Sequence, residues 1–170
     1  MRKLILTSFA ICLGLVLCGG ARAQTPAVPA APATPPIYGA PITLEQAKKA
    51  AVAAEAEANK SNLKLTFAIV DPSGTLVYLQ KGDGSINASS DVAIGKARTA
   101  ARYRRPSKDF FDMMESGHSY AATLDPTLVA SAGGVPIVVD GKVIGAIGSS
   151  GAPTGLIDLA AATAGAAALK

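Results

Sequence analysis

Val135-Pro-Ile-Val-Val-Asp140-Gly141-Lys-Val-Ile-Gly-Ala-Ile147 decides the fold. Two apolar runs, Val135 to Val139 and Lys142 to Ile147, flank Asp140-Gly141. That dipeptide favours the positive φ angles of a two-residue turn whose twist matches that of paired antiparallel strands. The stretch therefore predicts a β-hairpin. Upstream, Leu63, Leu65, Phe67 and Ile69 alternate with polar or small residues, the pattern of a half-buried strand. Asp71-Pro72-Ser73-Gly74 turns the chain, and Thr75 to Gln80 returns as the second arm of another hairpin. Two hairpins exclude an all-parallel sheet.

Helices surround these hairpins. Thr43 and Gln46 form a capping box that opens a helix running to about Asn59, with Leu44, Ala47, Ala51, Ala54 and Ala58 on one stripe. A second helix runs from about Ser90 to Arg104 and ends before Pro106. Ser107 is placed to cap a short helix through Met114. Gly148-Ser149-Ser150-Gly151 leads through Pro153 and Thr154 into an alanine-rich C-terminal helix. The expected fold class is α/β of the α+β type, an antiparallel sheet built from hairpins and covered by helices.

The N-terminal part reads differently. Arg2 and Lys3, the apolar run Leu4 to Leu17, and Ala21-Arg22-Ala23 form the three parts of a secretory signal, with cleavage expected before Gln24. Cys18 ends the apolar run and raises lipidation as a rival, although bulky Leu17 precedes it. Residues 1–23 are thus read as a signal peptide and the product as exported, either periplasmic or secreted. Residues 24–41 include Thr25 to Pro41, with six prolines, and are read as a Pro/Ala-rich tether favouring polyproline II. Residues 42–170 form the folded domain.

Processing alters the chemistry on offer. Both cysteines, Cys12 and Cys18, lie in the removed segment, which excludes thiol nucleophiles, thiolate metal sites and disulfides from the remainder. Losing Arg2, Lys3 and Arg22 leaves 13 basic residues against 12 acidic ones, a formal +1 that excludes a polyanion-binding class such as nucleic acid. The apolar stretch from Leu156 to Leu169 contains Asp158 and is shorter than the roughly 20 residues a membrane span needs. No transmembrane segment is expected after processing.

Candidate chemistry concentrates on the second helix. Arg98, Arg102 and Arg105 fall on one stripe, with Lys96, Thr99 and Tyr103 on the next. Ala93, Ala97, Ala100 and Ala101 face the packing side. Cations beside hydroxyls suit carboxylates, including the propionates of a porphyrin, and equally suit a solvated face or an oligomer contact. His118, the only histidine, sits in Ser116-Gly117-His118-Ser119-Tyr120 and offers an imidazole to haem iron, or else is an ordinary loop residue. The glycines at 145, 148 and 151 match neither nucleotide-loop spacing and fit close strand-helix packing. Ser149 and Ser150 near Asp158 have no evident base, so no hydrolytic constellation is recognised.

The segments Thr43-Leu-Glu-Gln-Ala47, Ala68-Ile-Val-Asp71 with Gly74, Gly82-Asp-Gly84 and Lys96-Ala-Arg-Thr-Ala-Ala101 occur in that order. They are followed by Gly133-Gly-Val-Pro-Ile-Val138, Gly145-Ala-Ile-Gly148, Ser150-Gly151 and Ala164-Gly-Ala-Ala-Ala168. Together they resemble the GlcG/HbpS family over essentially the whole domain. The resemblance implies a profilin-like fold, homo-oligomers, and haem as cofactor, with haem degradation proposed for some relatives. Here Leu156, Ile157 and Leu159 surround Asp158 where relatives often carry polar residues, which suggests a packed contact between subunits. The leading expectation is an exported haem- or tetrapyrrole-associated binding protein. In it Lys96, Thr99, Arg102 and His118 bind the cofactor, and His118 or Thr99 approaches the iron. The alternatives are an oxidative haem-degrading or small-metabolite enzyme, and a non-catalytic oligomeric accessory protein.

Overall fold

The structure, a computed structural model, describes residues 34–170; the signal-peptide reading of 1–23, and residues 24–33 of the tether, lie outside them. The elements are β1 (Ile37–Tyr38), α1 (Leu44–Asn59), β2 (Thr66–Val70), β3 (Leu76–Lys81), α2 (Ser89–Tyr103) and α3 (Lys108–Glu115), then a 3-10 turn (Ser119–Thr123). β4 (Gly134–Val139), β5 (Lys142–Ser150) and α4 (Gly155–Ala167) complete the chain. Both expected hairpins form. β4 and β5 pair antiparallel from Val139↔Lys142 to Gly134↔Gly148, and Asp140 and Gly141 adopt φ of 48° and 72°, the positive pair the turn requires. β2 pairs antiparallel with both β3 and β5, making β5 the centre of the sheet.

β1 pairs parallel with Lys142 and Val143, residues that β4 already holds on their other edge. It therefore lies on the β2 side of β5, along the length that β2 leaves uncovered. Gly39 N–H and Ile42 N–H continue the attachment by donating to the carbonyls of Val143 and Ile144. The last residues of the proline-rich stretch are thus part of the sheet, because two extended residues suffice to satisfy an otherwise open edge.

Helices cover both faces. α1 and α4 pack with Phe67, Ile69, Ile137 and Ile147 in the larger core, while Ala97, Ala100 and Ala101 of α2 meet Val70 and Ala146 on the opposite face. This second layer corrects one expectation. β2 is buried at every position instead of alternating, since Thr66, Ala68 and Val70 are covered from the α2 side. α1 likewise buries Ala50 in place of Leu44, which is 47% exposed. The capping box forms as read, with Gln46 N–H donating to Thr43 Oγ1 at 3.2 Å and Thr43 N–H to Gln46 Oε1 at 2.9 Å.

The approach of α2 depends on absent side chains. A Cβ at Gly148 would collide with the Ala93 carbonyl, and one at Gly134 with the Lys96 carbonyl. Gly148 is therefore a packing glycine, as its spacing suggested. Ser107 does not cap α3. It is fully buried, donates to the Ser131 carbonyl at 2.6 Å and accepts from Gly134 N–H at 2.8 Å, fastening the α2–α3 corner to β4.

Candidate functional site

α2 directs its polar side chains to three different destinations. Lys96 points inward and is 2% exposed. Its ammonium donates to Asp158 Oδ2 at 2.9 Å and to the Ser149 carbonyl at 3.0 Å. Lys96 and Asp158 belong to helices on opposite faces of the sheet, so their pair links the two helical layers. It passes Gly133, where a Cβ would lie 2.9 Å from Asp158 Cβ and 3.0 Å from Lys96 Nζ; glycine there leaves the passage open. Asp158 also accepts from Ala152 N–H at 3.2 Å. Burial pushes its carboxyl above the usual carboxylate range, against the opposing pull of Lys96. The Ser149 hydroxyl lies close enough to favour the ionised carboxyl, yet makes no hydrogen bond of ordinary geometry.

Thr99 lies next along the helix and is also 2% exposed. Its hydroxyl donates to the Gly95 carbonyl at 2.9 Å and accepts from Val129 N–H at 2.9 Å. Arg102 lies at the surface, where its Nη1 is 2.9 Å from Asp125 Oδ2 and 3.1 Å from Thr127 Oγ1. Thr99 and Arg102 are thus brought together under one segment, Leu124 to Val129. The other stripe arginines have partners too: Arg98 donates to the Gly74 carbonyl at 3.1 Å, and Arg105 stacks over the Phe110 ring at 4.4 Å.

His118 is exposed, with Nδ1 3.0 Å from Ser116 Oγ and its ring edge-on to Tyr120 at 6.0 Å. Its side-chain contacts stay within its own segment, apart from those of α2. Among the described residues no cluster of three or more His, Cys, Asp or Glu is placed to hold a metal ion.

Between α2 and the Leu124–Val129 segment runs a groove of about 460 Å³. Ile94, Gly95 and Arg98 form its helix wall, Pro126, Leu128 and Val129 the facing wall, and Asp91 and Thr127 its polar rim. A second groove of about 400 Å³ lies beside Phe111, Ala132 and Leu156, with Leu156 itself 63% exposed.

Sequence reasoning missed Asp158 as the partner of Lys96 and the Leu124–Val129 segment altogether. Both left signals. A lone carboxylate in an apolar helix calls for a buried cation. Asp125-Pro126-Thr127 carries an Asx turn, with Asp125 Oδ1 accepting from Thr127 N–H at 2.8 Å and Thr127 Oγ1 at 2.7 Å.

A family model described as "Haem degrading protein HbpS-like" matches residues 42–167. The chain belongs to the GlcG/HbpS family. Protein GlcG of Escherichia coli K12 is 40% identical over 110 residues, spanning 64% of this chain and 81% of that protein. The crystal structure of HbpS superposes with a TM-score of 0.72 at 33% identity, covering 78% of this chain and 92% of that one. The fold also matches a PduOC–haem complex, with a TM-score of 0.69 at 24% identity over 76% of this chain and 96% of that one. The mixed sheet with helices on both faces is therefore the HbpS-type fold.

Proposed function

We propose that this chain is an exported haem- or tetrapyrrole-associated binding protein whose site is the groove along α2. The observation that carries the reading is the combination of an apolar slot, floored by Ile94 and Gly95 of α2, with Arg98 beside it and Arg102 at the adjoining surface. An apolar macrocycle with carboxylate edges asks for such a slot with guanidinium donors at its margin. The family description supports haem as the tetrapyrrole.

The residues fit the ring and its carboxylates better than the metal. Thr99 uses its hydroxyl proton on Gly95 and accepts from Val129. His118 presents an imidazole from a separate segment. Bound haem would supply redox chemistry at its iron; the protein's own groups would hold the macrocycle and pair its propionates.

A titration of residues Gln24 to Lys170 with haem, followed at the Soret band, tests the reading. The expected result is saturable one-to-one binding that metal-free protoporphyrin shares, weakened by Arg98→Gln and Arg102→Gln. Nonsaturable absorbance changes, indifferent to both arginines, would sink it. Thr99→Val and His118→Ala then identify any iron ligand. The family description also motivates a second reading, oxidative haem degradation. It requires loss of the Soret band with reductant in a peroxide-scavenged control.

Self-association accompanies the proposal. Leu156 projects between the groove at Phe111 and a second depression bordered by Ile157 and Ala160, an apolar surface suited to a subunit contact.

A further inference from the structure

The segment Leu124–Val129 lies across α2 like a strap, and its attachments are few and localised. At one end the Val129 side chain rests on the helix backbone, since a Cβ at Gly95 would collide with Val129 Cγ2. Beside it Val129 N–H donates to Thr99 Oγ1. At the other end Asp125 and Thr127 are fastened by Arg102. Between these points Pro126 and Thr127 are exposed, and Leu124 just before them is 49% exposed, so little apolar burial holds the strap down. What it covers is interior, with Thr99 at 2% exposure, whereas the Arg102 side chain that fastens it is 47% exposed.

The two attachments imitate the two halves of one ligand. Val129 places an apolar group on a floor that Gly95 leaves flat, where a planar apolar body would rest. Asp125 offers Arg102 a carboxylate, the group an acidic edge would offer it. We infer that the strap is an internal stand-in for the ligand, a latched cover that a flat, apolar carboxylate displaces by taking Val129's place on Gly95 and Asp125's place on Arg102. The inference rests on the α2 groove being the binding site. It adds that access is governed by strap opening and that Asp125 competes with the ligand for Arg102. A local opening of this kind needs no rearrangement of the sheet or of the alanine face of α2, because the strap is fastened at Gly95, Thr99 and Arg102.

A thiol placed under the strap reads its opening without any ligand. Residues 24–170 contain no cysteine, and Thr34–Lys170 is a compact unit by itself, so the Thr99→Cys variant of Gln24–Lys170 carries a single buried thiol. Its reaction with 5,5′-dithiobis(2-nitrobenzoate) should be slow and should accelerate about two- to fivefold when Asp125→Asn is added, the size expected for loosening an exposed ion pair. Thr127→Val should act in the same direction. Urea midpoints measured alongside separate strap opening from global unfolding.

In the chain with native Thr99, the haem uptake rate should level off with haem concentration, and the plateau should rise with Asp125→Asn by the factor seen in labelling. Labelling indifferent to Asp125 and Thr127, or an uptake plateau that ignores them, would overturn the latch. If neither protein takes up haem, the haem reading falls, and the labelling ratios alone then decide whether the strap is a latched cover.

Discussion

Lys96 shows what one side chain can contribute across a sheet. Its ammonium and the Asp158 carboxylate are both almost fully buried, at 3% and 5% side-chain exposure, so each forfeits water and depends on the other. Breaking such a pair from one side costs about 3–5 kcal/mol, while replacing both members with apolar groups is often close to neutral. Lys96→Met and Asp158→Leu should each be strongly destabilising in urea unfolding, and the double variant should recover most of the loss. Asp158 adds a pH dependence. Burial raises its folded-state pKa above the ordinary 3.8, so the folded state holds this proton more tightly than the unfolded chain. Its contribution is fully present below 3.8 and is lost as pH rises through the folded value. Urea midpoints between pH 3 and 7 should show that decline, and Asp158→Asn should remove it. That Lys96 and Thr99 share a stripe of α2 next to its arginines was legible in the sequence. Where each side chain ends was not, because a helical wheel gives a direction and the partner of Lys96 lies 62 residues away.

At the scale of elements, local chemistry and packing divide the work. The capping box of α1 and the Asp140-Gly141 turn were legible because each is settled within four residues by hydrogen bonding and allowed φ. The strap was not legible, since its attachments join residues 23 to 34 positions apart and its composition is that of an ordinary loop. Its fastening still carries a predictable titration. Hydrogen bonds from Thr127, then the charge of Arg102, hold Asp125 below the ordinary 3.8. The strap's stabilisation is accordingly present above 3.8 and lost as pH falls through the lower folded value. The Val129 amide resonance should shift toward its strap-open position over that acid range, ahead of amides in β5. Asp125→Asn should show the shifted position at neutral pH.

For the whole molecule, the N-terminal arm and the Leu156 surface set the boundaries. The Tyr38 hydroxyl donates toward the Arg102 carbonyl at 2.7 Å and the Ala101 carbonyl at 3.2 Å, near the C-terminal end of α2. Arg104 sits 5.1 Å from the Tyr38 ring centre and donates to the Pro36 carbonyl. Tyr38→Phe should cost about 1 kcal/mol, and a chain beginning at Ile42 should melt several degrees lower, since it also loses β1. Calorimetry distinguishes this from an arm that contributes nothing. Leu156→Glu puts a charge on the exposed large hydrophobic side chain of α4. If the proposed self-association uses that surface, sedimentation should show a shift toward monomer with an unchanged melting temperature.

The sequence by itself determined the two hairpins, the order of the helices and the family, because turn geometry, capping and periodic patterning act over a few neighbouring residues. Only the tertiary structure decided that β2 is covered on both faces, that Lys96 meets Asp158 through the opening at Gly133, and that Thr99 lies beneath Val129. Burial and ion pairing depend on which distant segments share a volume. That is set by how closely the alanine and glycine surfaces let the layers approach.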